Sequence, residues 1–116
     1  MRKVIKGKTY DTDTAIEVAR YETDRREKDM RYFNEKLYRT RTNNYFLCGR
    51  GGGLTKYSKF NDCEKHIIPL TELEAVQWCI DSKRKDPLRG CLAEAYANYQ
   101  KEDSVPKSSD FGIFLI

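Results

Sequence analysis

The sequence predicts an α+β fold: a small antiparallel β-sheet built from hairpins and packed with two to three α-helices. Three observations predict it. Residues 3 to 10 and 33 to 50 each read as two short extended runs around a tight turn. Two well-marked helix starts follow residue 70. The chain has 116 residues, the length of a single domain, which is expected over residues 1 to 100 with a tail over 101 to 116.

Residues 3 to 10, KVIKGKTY, run out through Val4 and Ile5, turn at Lys6-Gly7 and return through Thr9 and Tyr10. Small polar residues then precede Ala15 and Ile16. Thr14 with Glu17 fits a capping box, and Asp13 is a competing cap; either satisfies free amides at a helix start and is worth about 1 kcal/mol. Glu22 and Arg26, Asp24 and Lys28, and Glu27 and Arg31 are four apart with the acid first, an orientation that adds about 0.2 to 0.5 kcal/mol per pair to a helix. These signals predict a helix over residues 14 to 31, although almost no apolar face exists between Ala19 and Met30.

In residues 33 to 50, two strands flank Arg41-Thr42-Asn43-Asn44, and Asn tolerates the positive φ that tight hairpins demand. By alternation Leu37, Arg39 and Arg41 share one face while Lys36, Tyr38 and Thr40 share the other. The glycines from 49 to 53 end the second strand, and residues 54 to 60 form a loop or short helix. His66-Ile67-Ile68-Pro69-Leu70 reads as a final strand whose Pro69, lacking a donor, marks its end. Thr71-Glu72-Leu73-Glu74 is a capping box opening a helix with Leu73, Val76, Cys79 and Ile80 on one stripe. Asp86-Pro87 opens another, with Asp86 as cap. Its Leu88, Cys91, Leu92, Ala95, Tyr96 and Tyr99 keep helical spacing, so these cysteines and tyrosines, with Cys79, are expected to pack. The tail ends in FGIFLI, an apolar run expected to dock as an edge strand, with a partner interface as the alternative.

Leu, Ile, Val and Phe total 24 residues, close to the roughly 20% below which charged chains stay disordered. Eight tyrosines extend what can be buried, which predicts a thin, tyrosine-rich core under a charged surface. No run approaches the ~20 apolar residues of a membrane span, and no apolar stretch follows the charges of MRKVIKGK. A soluble, cytoplasmic protein with reduced thiols is expected.

Charge is unevenly spread. Residues 1 to 60 hold 15 basic and 8 acidic side chains, and residues 31 to 60 hold seven basic groups against Glu35 alone. A one-signed stretch steers association with the opposite sign, here a nucleic-acid backbone or an acidic protein surface.

Enzymatic constellations are incomplete. GRGGGLTK, residues 49 to 56, lacks the Gly-Lys-Ser/Thr unit of a phosphate loop. His66 has Asp62 and Glu64 nearby but no second acidic pair, and Cys63 with His66 is only half of a zinc spacing. No catalytic residue, metal or other cofactor is expected. Tyr38, Tyr45 and Tyr57 interleave with Lys36, Arg39, Arg41, Arg50, Lys56 and Lys59, joining aromatic faces that stack on bases to cations that meet phosphates. The same chemistry makes protein interfaces. These nine residues are the candidate partner-binding set.

Val4-Ile5-Lys6-Gly7-Lys8-Thr9-Tyr10-Asp11-Thr12-Asp13-Thr14-Ala15 and Ile67-Ile68-Pro69-Leu70-Thr71-Glu72-Leu73-Glu74-Ala75 occur here with Glu35-Lys36-Leu37-Tyr38-Arg39, Tyr45-Phe46-Leu47-Cys48-Gly49 and Leu54-Thr55-Lys56-Tyr57. Together, over roughly residues 1 to 83, they resemble a family of small proteins carried on plasmids, conjugative elements and phages of Gram-positive bacteria. Some members are type II anti-CRISPR proteins. The resemblance implies an inhibitor that binds the type II RNA-guided CRISPR nuclease or its guide RNA, without catalysis, and blocks assembly or DNA cleavage. A basic chain is poorly suited to mimic DNA, so the expected contact is guide RNA or an acidic patch of the nuclease, made by residues 36 to 59. The alternative is a nucleic-acid-binding accessory or regulatory protein of a mobile element.

Overall fold

A computed structural model describes residues 1–26, 28–60, 62 and 64–104. The described residues form an α+β structure of six antiparallel strands in two sheets and three α-helices. They fall into two compact units, Met1–Thr71 and the residues from Glu72 on.

The first unit begins with the expected hairpin. β1 (Arg2–Ile5) pairs with β2 (Lys8–Asp11), with Ile5 opposite Lys8. The two-residue loop between them holds Lys6 at φ 52 and Gly7 at φ 78, the left-handed pair that lets such a turn follow the strands' twist.

The helix expected over residues 14 to 31 is not formed. Ile16–Glu22 is a strand, β3, and turns occupy most of the following residues. A run without an apolar stripe gains little from being helical, and a few tenths of a kcal/mol per charge pair do not replace that packing. Extended, the same residues bond their backbone to β4 (Phe33–Arg39). The acidic partners differ too: Arg25 Nη1 and Arg31 Nε each lie 3.4 Å from an oxygen of Asp29. Glu27 lies outside the described residues.

β4 and β5 (Tyr45–Gly51) form the expected central hairpin, with Leu37 opposite Leu47 and Tyr38 opposite Phe46. The turn between them closes through Asn43 N–H to Thr40 O at 3.0 Å and Thr40 N–H to Asn44 O at 2.8 Å, with Asn43 at φ 64. β6 (His66–Leu70) completes the order β3-β4-β5-β6. Its Pro69 costs no more than an edge position can bear.

One sheet face carries Tyr38, Phe46, Cys48 and Ile67, which form a buried cluster with Tyr10 of β2, and Ile5 and Ala15 pack against it. Phe46 stacks on Tyr38 with centroids 5.1 Å apart and meets Tyr10 edge-on at 5.5 Å. The expected tyrosine-rich core is present: Tyr10, Tyr32, Tyr38, Tyr45 and Tyr57 are all buried.

In the second unit, α1 (Glu72–Asp81) buries Ala75, Val76, Trp78 and Cys79. The buried stripe is therefore rotated from the expected one, and Leu73 is exposed. The single helix expected after Asp86 is broken. α2 (Asp86–Arg89) ends at Gly90, and α3 (Ala93–Ser104) starts afresh, because glycine, costly inside a helix, allows the chain to turn. Lys85 holds the cap position and Asp86 lies in the first turn with Pro87. Leu88, Leu92 and Ala95 are buried and Cys91 is exposed, while Tyr99 donates its hydroxyl to Gln77 Oε1 at 2.6 Å. α3 continues into the stretch expected as tail, and the FGIFLI run lies outside the described residues. Among the described residues no helix is long and apolar enough to cross a membrane.

Candidate functional site

Strand alternation divides the nine expected contact residues. Lys36, Tyr38 and Arg50 lie on the face that carries Phe46 and Cys48, while Arg39, Tyr45 and the contacts of Tyr57 lie on the opposite face. Arg41 sits in the hairpin turn, and Lys56 and Lys59 sit on a 3-10 turn at Lys56–Phe60.

None of the three tyrosines is a free stacking platform. Tyr38 is covered within the aromatic cluster, and Tyr45 and Tyr57 are 3% and 1% exposed. The reason is the thin aliphatic content. With few Leu, Ile and Val to bury, the sheet uses its tyrosines as core.

Tyr57 fixes the 3-10 turn to the sheet. Its hydroxyl donates to Glu35 Oε2 at 2.6 Å, and Lys56 Nζ lies 2.7 Å from the same oxygen. Glu35 is 2% exposed, so its charge needs these partners. Burial, and next the Glu35 carboxylate, push the Tyr57 phenol far above its ordinary pKa and keep it protonated as a donor. Gly49, opposite Glu35 in the register, leaves the space that the phenol occupies; a Cβ there would collide with the Tyr57 hydroxyl and the Asn34 carbonyl. Glu35 is the single acid of the basic stretch, and its alternation with Leu37 is the sequence signal that places it inward.

The glycines after Arg50 also serve the chain itself. A Cβ on Gly52 would fall 2.5 Å from the Met30 carbonyl oxygen, while Gly52 N–H donates to Tyr32 O and Leu54 N–H to Met30 O. Close backbone approach here is to residues 30 to 32.

Several cations of the sheet and its 3-10 turn are met by acids or aromatic rings. Arg20 is opposite Lys36, a like-charge pair that costs energy unless a counter-charge intervenes. Glu17 supplies it, 2.8 Å from Arg20 Nη2 and 4.0 Å from Lys36 Nζ. A register shift between Glu17 and Ala19 puts Glu17 and Arg20 on one face despite their odd spacing. Arg50 lies over the Tyr32 ring, 5.7 Å from its centroid, and the Tyr32 hydroxyl donates to Glu22 Oε2 at 2.6 Å. Lys59 lies over Phe60 at 5.2 Å.

Arg39 Nη1 donates to Asn43 Oδ1 at 3.1 Å, and its Nε is buried without an acceptor among the described residues. Arg41 is exposed and forms no ion pair among the described residues. Lys8, which spacing arguments passed over, is its neighbour across a cleft between the two hairpin turns.

His66 is held from two sides. Its Nε2 lies 2.8 Å from Asp62 Oδ1, and its ring stacks on Phe60 with centroids 3.6 Å apart. The hydrogen bond with His66 holds the Asp62 carboxyl below the usual range. Among the described residues no three His, Cys, Asp or Glu side chains gather as metal ligands; Cys63 lies outside them.

Comparison of the chain with family models, curated proteins and solved structures found no match in any of the three.

Proposed function

We propose that the protein acts by binding, without catalysis, to the type II RNA-guided nuclease or its guide RNA complex, and that charge rather than base stacking drives the association. The observation that carries this reading is the basic Met1–Thr71 unit, with 16 basic and 10 acidic side chains, together with the burial of the tyrosines that would otherwise stack. A cationic surface whose three expected stacking tyrosines are buried meets phosphates or carboxylates through charge and is sensitive to salt. The choice of nuclease comes from the resemblance of residues 1 to 83 described above.

The test is a pull-down of the nuclease with and without guide RNA, followed by a DNA-cleavage assay. Retention of the nuclease and a dose-dependent loss of cleavage are expected. Binding to RNA or DNA alone, with cleavage untouched, would replace this reading by that of a nucleic-acid-binding accessory protein.

A further inference from the structure

The geometry points to an anion site in the cleft between the β1–β2 and β4–β5 turns, built to take a phosphate group. The cleft has a volume of about 390 Å³ and lies wholly within the first unit. Two cations line it, Lys8 from β2 and Arg41 from the central hairpin turn, and no carboxylate does. Neither cation forms an ion pair among the described residues; Lys8 makes only a 3.5 Å contact with Asn44 Oδ1. Two like charges facing one cleft repel each other, and an anion between them reverses the sign of that energy.

The rest of the wall suits the same ligand. Thr9 and Thr14 are exposed in the cleft, and their hydroxyls have no hydrogen-bond partner among the described residues. Gly7 has open space where a side chain would stand, so a ligand can approach its backbone. The wall is also ordered in advance. Thr40 Oγ1 accepts from Asn44 N–H at 3.0 Å and lies 3.1 Å from Thr42 Oγ1, which accepts from Asn44 Nδ2 at 3.0 Å. This network fixes the turn that carries Arg41, so little ordering remains to be done on binding. Arginine's planar fork pairs two phosphate oxygens, and lysine adds a point charge with its own donors.

This site deepens the binding reading by naming the chemistry that one part of the surface takes. Its test uses the protein alone, so it can fail while nuclease binding holds, and the reverse. Amide shifts are followed by NMR during titration with inorganic phosphate and, separately, with a short oligouridine. Saturable shifts at Gly7, Thr9, Thr14 and Thr42 are expected. The double variant Lys8→Gln with Arg41→Gln weakens the half-saturation about tenfold or more, and Thr14→Val, which keeps both charges, weakens it a few-fold. Tighter saturation by oligouridine identifies a nucleic-acid backbone as the source of the phosphate; equal or tighter saturation by inorganic phosphate identifies the free anion. No saturable shift at these amides with either probe, or an unchanged half-saturation in Thr14→Val and in a folded double variant, overturns the proposal.

Discussion

The Tyr57 hydroxyl donates a 2.6 Å hydrogen bond to the buried carboxylate of Glu35, and this pair ties the 3-10 turn to the central hairpin. Tyr57→Phe removes the donor and leaves the ring. It is expected to cost about 1 to 3 kcal/mol, the penalty of an under-satisfied buried acceptor. Urea unfolding at neutral pH measures it. A change within error would show that Lys56 and the remaining partners of Glu35 satisfy the carboxylate without the phenol.

The Lys6-Gly7 turn gives a prediction of opposite sign. Lys6 is held at φ 52, a conformation costing an ordinary side chain about 1 to 2 kcal/mol and asparagine less. Lys6→Asn should raise the midpoint of thermal unfolding, and Gly7→Ala, at φ 78, should lower it by about 1 kcal/mol of stability.

Cysteine accessibility separates the two faces of the second unit's helices. Burial, and next the neighbouring Cys91, push the Cys79 thiol up to about 11, whereas Cys91 is exposed. Mass-spectrometric mapping after brief alkylation at pH 8 should find Cys91 modified, with Cys79 and the buried Cys48 protected. A raised thiol pKa favours the folded state's neutral form. The contribution is therefore full below the ordinary thiol range and is lost as pH rises toward 11.

Acid acts on a different element. Backbone and side-chain hydrogen bonds from Arg31 hold the Asp29 carboxyl below its ordinary value. The stabilisation is present above the ordinary carboxylate range and is lost as pH falls through the lowered value. Amide protection of residues 25 to 32, taken relative to the intrinsic exchange rate at each pH, should fall over that acidic interval, and Asp29→Asn should abolish that fall.

Much of the first unit was legible because turns are written locally. Lys6-Gly7 and the asparagines at 43 and 44 announced their hairpins, and Pro69 the end of its strand. β3 was not legible, because its charges are spaced as a helix would space them and its strand character comes from β4, a partner distant in sequence. The break at Gly90 was concealed by apolar residues that keep helical spacing on both sides of it. The nine expected contact residues were divided for a similar reason. Tyr38 and Arg39 adjoin in sequence but alternation sends them to opposite faces, and the tyrosines were needed for the core. Lys8 and Arg41 stand 33 positions apart in the sequence and meet at one cleft only because two hairpin turns converge.

Under the proposed binding reading, that convergence makes Lys8 and Arg41 the residues whose charge the association should depend on. Tyr38→Phe keeps the core ring and should leave target binding unchanged, whereas charge reversal at Lys8 and Arg41 should not. The most direct measurement is the rate of DNA cleavage by a guide-loaded type II nuclease as the protein is titrated in, compared with the Lys8→Glu, Arg41→Glu variant. Dose-dependent inhibition by the natural sequence, lost in a folded charge-reversed variant, is the predicted result. Cleavage unaffected by the natural sequence, or inhibition undiminished by charge reversal, would contradict the account.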